Sequence, residues 1–374
     1  MRAAVFALLC VTACASATEP APPTTERDPP VFVQALADAL TATGDDPGGG
    51  RAQIFALVGR EDLFVERERT VCSPLMRNGV TADPVGEIAR LAADRRVVII
   101  NEAHDHPQHR AFIAEVATAL RHDGFSIYAA ETFAPSIREA GAWPRLRDGY
   151  YTSEPAYGAL VRRVRAEGFA LYDYEYIAPG DEDAPADGNW APRIARREAG
   201  QAANLQTILS EHPNDRMLVH VGHGHLQELP DDEGNVFMAK RLKDATGIDP
   251  LTIDLTRYES PNNSFVFCDP AQTPTMRVDF RIGTPRLSFE NGRPAWRQAL
   301  GQKPIYLPAM ANPRVATIWE ARNADEPDEA VAVDRVLVRP GETLPFLLAP
   351  GRYRAESWSL EHGWSGAPIE FAVN

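Results

Sequence analysis

Three observations predict an α/β fold, a parallel sheet flanked by helices and followed by a small antiparallel β domain. Short β-branched runs alternate with stretches of helical periodicity up to about residue 258, the pattern of parallel strands joined by right-handed crossovers. Polar residues close those runs, and six of the nine histidines lie in two windows that follow them, NEAHDHPQHR and VHVGHGHLQE. Beyond about residue 272 the helical stripes give way to short alternating segments separated by Pro and Gly.

The chain opens on MRAAVFALLCVTACASATEP, a single basic residue, a short apolar stretch and then small residues, which reads as a secretory signal over residues 1–17. Val11, Thr12 and Ala13 ahead of Cys14 have the form of a lipobox, so a lipid on Cys14 is the expected membrane attachment. Cleavage after Ala15, Ser16 and Ala17 is the competing reading. Residues 18–50, rich in Pro, Thr, Gly and Asp, are expected to form a tether and a first helix over 31–43. The secreted product would then be a periplasmic or outer-membrane lipoprotein.

Apolar residues at three- and four-residue steps predict helices over 84–93, 108–122, 155–167, 193–210 and 236–245, with Gly124, Gly168 and Gly247 as stops. Strands are predicted over 97–100, 125–130, 169–175, 217–221 and 251–255. These make an α/β domain over 51–272. Segments 276–282, 315–321, 331–338 and 351–358 predict a β-sandwich-like domain over 273–374.

Lys and Arg total 38 against 52 Asp and Glu, a net charge of −14, with no compensating basic stripe, which argues against nucleic acid as a partner. Past the leader no apolar run is long enough to span a bilayer. Cys72 and Cys268 are the two cysteines beyond it, and an oxidising compartment favours a disulfide over two buried thiols. HExxH, GxSxG, P-loop and GxGxxG motifs are absent, which argues against a serine nucleophile and against nucleotide binding.

In an open α/β sheet, ligands bind beyond the carboxyl ends of the strands. Glu102 stands at one such end, two residues before His104, and Glu131 at the next. Either carboxylate alone reads as a helix cap; both together, beside histidines, read as a site that activates water. Glu102, His104, Glu131 and His225 are the expected catalytic set, and His104, Glu131 and His225 the set a divalent metal would take. His106 and His109, in the loop and first helical turn, and His223, between Gly222 and Gly224, are candidate cofactor contacts. His220 falls inside its strand and reads as a core or supporting residue. In the helix over 193–210, Glu198 lies within the apolar stripe and Arg197 on its flank, and an inward charge needs a partner. The strand-end carboxylates are the expected ones, so both join the cofactor-binding candidates. Tyr172, Tyr174 and Tyr176 share a strand face, read as packing against a helix, and the acidic stretch over 179–192 reads as a loop able to cover the crevice.

These motifs resemble those of the superfamily that groups ChaN-type haem-binding lipoproteins, Tiki and TraB metallopeptidases and erythromycin esterases. The opening signature stands as Asn101-Glu102-Ala103-His104-Asp105-His106-Pro107-Gln108-His109, most similar to the ChaN branch. A Tiki-like G-x-x-H stands as Gly222-His223-Gly224-His225, Glu131 matches the acidic end of the second strand, and Arg197-Glu198 with Asn204 resembles a helix motif of the esterases. The resemblance spans roughly residues 80–258; Asn101 replaces the usual glycine and His106 the usual asparagine. It implies an envelope hydrolase of ester or peptide bonds, acting on a small molecule or peptide with or without a divalent metal. The alternative it implies is a haem-binding lipoprotein of iron uptake, and family membership does not decide between them.

Overall fold

The computed structural model describes residues 32–43, 49–139, 141, 143–181, 188–272 and 277–374. The leader with Cys14, most of the tether, and residues 182–187 of the predicted covering loop lie outside the described residues.

Val97–Glu102, VVIINE, is buried at every position, as befits a parallel strand covered on both faces. We label the strands of the main sheet β1 (Thr70–Val71), β2 (Val97–Glu102), β3 (Phe125–Ala130), β4 (Ala170–Asp173), β5 (Arg216–Gly222), β6 (Leu251–Glu259), β7 (Val266–Phe267) and β8 (Phe280–Thr284). Their order is β4-β3-β5-β2-β6-β8-β7, with β1 also paired to β6, and all neighbours run parallel except β7 and β8. The helices are α1 (Val33–Thr41), α2 (Gly50–Leu57), α3 (Pro84–Ala92), α4 (Pro107–His122), α5 (Pro155–Ala166), α6 (Ala191–Glu211), α7 (Met238–Thr246) and α8 (Ala295–Ala299).

Alternation along the strands divides the core. Val98, Ile100, Tyr128 and Leu218 meet α3, α4 and α5, while Val97, Ile99, Ala129 and Val219 meet α6 and α7. From β2 the chain crosses over α4 to β3 and then over α5 to β4; it returns over α6 to β5, which slots between β3 and β2, and leaves over α7 for β6. The winding therefore reverses around β5 and β2, where the loops part and a crevice opens. Glu102 lies opposite Gly222 in the ladder, and Ala130 opposite His220, so the ends of three strands meet there.

Two expectations change. The strand predicted over 276–282 is β8, which pairs with β6 in the main sheet and does not belong to the C-terminal β unit; its alternation is compatible with either place, and pairing decides. The C-terminal unit is one antiparallel sheet of β9 (Thr317–Asn323), β10 (Asp334–Val338), β11 (Gly351–Ser359) and β12 (Gly363–Val373), in the order β10-β9-β11-β12. One face of it packs on Phe346 and Leu348 of a short two-stranded ladder. The other carries Ile318, Leu337 and Trp358 and is covered by Phe32 and Leu36 and by Ile54, Phe55 and Leu57 of α2. The fully buried Arg335 fastens the junction, Nη1 donating to Leu57 O (2.9 Å) and Ser153 O (3.0 Å) and Nε to Glu320 Oε1 (2.7 Å). Cys72 and Cys268 form a disulfide with Cα atoms 5.6 Å apart, beside β1 and β7.

Candidate active site

Glu102 ends β2 with its side chain on the α4 and α5 side, 1% exposed. Its carboxylate receives four donors: His104 Nδ1 on Oε1 (2.9 Å), Arg110 Nη2 on Oε1 (2.8 Å), Arg110 Nε on Oε2 (2.8 Å) and His220 Nε2 on Oε2 (3.1 Å). Burial alone would raise its pKa, but Arg110, His220 and His104 hold it well below the usual carboxylate range. An ionised carboxylate accepts only, so Nδ1 of His104 donates to it, and in the neutral ring Nε2 is the nitrogen with the lone pair.

His104 lines the cleft. A Cβ built on Gly222 would fall 2.5 Å from both Nε2 and Cε1 of His104 and 3.2 Å from Glu131 Oε2, so glycine at 222 is what allows the imidazole and the second carboxylate to converge. The His104 ring is held by Tyr151, stacked at 4.0 Å, and by His223, edge-on at 5.0 Å. Tyr151 is itself tethered through its hydroxyl to Gln53 Oε1 (2.8 Å).

Glu131 follows β3 and accepts from Gly222 N (2.6 Å). It also pairs with Arg197, and His225 Nε2 stands 3.5 Å away. Burial would raise its pKa, yet His225, Arg197, His104 and the Gly222 amide bring it to about 2. Arg197 spans the cleft wall between Glu131 and Glu175, donating from Nε to Glu175 Oε1 (2.9 Å). His225 makes an ion pair with the buried Glu198 at 2.5 Å, and Glu198 Oε2 accepts from Met238 N (2.6 Å), anchoring the start of α7. Burial pulls the His225 pKa down, but Glu131 and Glu198 prevail and raise it. Glu102, His104, Glu131 and Arg197 line a cleft of about 400 Å³ with Tyr150 and Tyr151; His225 supports it from behind.

The structure thus gathers Glu102, His104, Glu131, His225, Arg197 and Glu198, and separates the remaining candidates. His109 is fully buried, its Nδ1 accepting from Ala103 N (3.0 Å) and its Nε2 bonded to Thr284 Oγ1 (3.1 Å), which leaves no nitrogen for a cofactor. His106 lies between Asp105 (2.7 Å) and Glu66 (3.1 Å), away from His104's cleft. His109 corrects the expectation of a cofactor contact, because the first turn of α4 faces the core here, whereas His106, just before α4, lines a cleft other than His104's. His223, at φ 40°, lines a second cleft.

A divalent metal does not fit the expected ligands. Among the described residues no group of three His, Cys, Asp or Glu side chains is disposed to hold one. Glu131 faces the Arg197 guanidinium and His225 faces Glu198, so a cation already occupies the electrostatic position a metal would take.

Arg110, Tyr151 and Glu154 escaped the sequence reading. Arg110 is fully buried and bridges Glu102 to Glu154 (2.8 Å), the carboxylate that caps α5 through Ala156 N and Tyr157 N. Arg110 sits three residues before Ile113 in the apolar stripe of α4, the same inward-charge signal that singled out Glu198. Tyr151 lies in an irregular segment with no periodicity to reveal it. His220 is a supporting residue, its Nδ1 within reach of the Tyr128 (2.8 Å) and Tyr157 (3.0 Å) hydroxyls. Tyr174 packs in the core and donates to His220 O (3.1 Å).

No family model matches the chain, and no curated protein does. Among solved structures, the type III effector HopBA1 is similar over 57% of this chain and 97% of its own, at 16% identity and a TM-score of 0.40. RRSP, a MARTX toxin effector domain from Vibrio vulnificus CMCP6, is similar over 42% of this chain at 17% identity and a TM-score of 0.33; this chain spans 34% of that one. Both are likenesses of fold, and the chemistry of the cleft is read from its own residues.

Proposed function

We propose that this cleft hydrolyses an ester or amide bond with His104 as general base. The observation that carries the reading is the Glu102–His104 pair, 2.9 Å apart, in a cleft that His104 shares with Glu131. Nε2 takes a proton from water as the oxygen attacks the carbonyl carbon; the imidazolium then returns that proton to the departing alkoxide or amine. Glu102 fixes the tautomer and, with Glu131, stabilises the imidazolium. Glu131, its pKa near 2, is too weak a base to take the proton itself and acts through its charge. Arg197 lines the same cleft and holds the Glu131 and Glu175 carboxylates in place.

The Cys72–Cys268 bond supports folding in an oxidising compartment, which favours an envelope location. The test is a panel of aryl esters and short peptides assayed with and without chelator. Turnover that survives the chelator and is lost in His104→Ala is expected. Absence of any turnover, with a saturable Soret shift on adding haemin, would replace hydrolysis with haem carriage.

A further inference from the structure

A second cleft of about 730 Å³ lies on the other side of the loop that carries His104, within the size range of small-molecule sites. Five arginines, Arg67, Arg69, Arg257, Arg277 and Arg281, enter its lining, against three carboxylates, Glu68, Asp105 and Asp254. That balance is the reverse of the whole chain, where acids outnumber bases 52 to 38. Two of the three carboxylates are engaged locally: Asp105 with His106 Nδ1 (2.7 Å), and Asp254 with Asn101 Nδ2 (2.9 Å) and with the amide and hydroxyl of Thr256 (2.8 Å each). Arg69 is paired with Glu66, and Arg277 with Asp232. The Arg257 side chain is exposed and, among the described residues, makes no ion pair or hydrogen bond.

An arginine whose side chain has no partner among the described residues, on a concave wall whose other four guanidinium groups are already engaged, is suited to an acceptor with paired oxygens. The planar fork meets carboxylate or phosphate oxygens two at a time, and a concave wall limits the screening that makes exposed pairs weak. We infer that the second cleft binds an oxyanion, the carboxylate or phosphate group of a ligand, with Arg257 as its anchor. His223 lines this cleft and stands edge-on to His104, which lines the first, ring centres 5.0 Å apart, so the two clefts are separated by this pair of rings. Anion binding stands by itself, apart from the hydrolytic reading above.

The test is calorimetric titration of the full chain with phenyl phosphate, benzoate and the neutral benzyl alcohol, at low and at high salt. The anions are expected to bind more tightly than the alcohol, with affinity falling as salt rises. Arg257→Ala is expected to weaken them by about tenfold or more, the size of a charge-assisted hydrogen bond, and Arg257→Glu to abolish binding. The tighter of the two anions identifies the group recognised. Calorimetry reads binding without turnover, so that failure of the hydrolytic reading would not remove this one. Equal affinity for the alcohol and the anions, or wild-type affinity in both Arg257 variants at unchanged urea midpoints, would overturn the inference.

Discussion

Glu102 Oε1 lies 2.9 Å from His104 Nδ1, and the same oxygen takes a hydrogen bond from Arg110. The base is thus oriented by a carboxylate that is itself immobilised. Glu102→Gln keeps the shape but removes the charge that sets the tautomer and stabilises the imidazolium. Turnover in this variant is expected to fall by about 10²–10⁴-fold, mainly in kcat, the range of general-base effects. Steady-state kinetics on the best substrate of the panel would check it, and an unchanged kcat would remove Glu102 from the mechanism.

Arg110 is buried between two carboxylates, so Arg110→Ala strands two charges in the core. A loss of about 3–5 kcal/mol in urea unfolding is expected, as for other broken buried pairs. A loss of a few tenths would mean that water reaches Glu102 and Glu154.

Gly222→Ala places a methyl carbon where His104 and Glu131 converge. The imidazole must move, while the backbone strand has no need to. Near-native stability with turnover reduced at least as far as in Glu102→Gln is the expected result. Wild-type activity would show that Nε2 does not work at this point.

Glu131 titrates at about 2 in the folded chain, down from an ordinary 4.5. A carboxyl lowered by folding adds stability that is fully present above its unfolded pKa and is lost as pH falls through the folded value. Unfolding free energy is therefore expected to drop between about pH 4.5 and 2, and Glu131→Gln to flatten that part of the profile. Identical slopes for both proteins would assign the acid limb to other carboxylates, such as Glu102.

The Cys72–Cys268 bond closes a loop across 196 positions. Its replacement by alanines is expected to cost about 3–5 kcal/mol, seen as a lower midpoint in denaturant, by freeing the unfolded chain. Equal midpoints for the oxidised protein and the double-alanine variant would indicate that other contacts set the register of β1 and β7.

Much of the site was legible because its residues sit at strand ends, where a change from β-branched to polar residues is visible in sequence. Glu102, Glu131 and His225 are of this kind, and Glu198 announced itself as a charge within an apolar stripe. What stayed hidden depends on register and on irregular chain. The Glu102–His220 contact requires knowing that β5 lies beside β2, although β3 is the next strand in sequence. Tyr151 reaches His104 from a segment without period. His106 and His109 share the opening signature with His104, yet His109 turns into the core from the first turn of α4 and His106 lines the second cleft. Likewise the alternation of residues near 280 suits a strand in either sheet, and only pairing places β8 beside β6.

The apolar faces of α1 and α2 find their cover in Ile318, Leu337 and Trp358, some 260 residues or more further along the chain. During synthesis, Phe32, Leu36, Phe55 and Leu57 emerge long before the strands that will shield them, with the entire parallel-sheet unit translated in between. Contacts of such long range form late and leave sticky surface open in the meantime. The first two described helices are therefore expected to settle late, their apolar faces open until the sheet of β9 to β12 has formed.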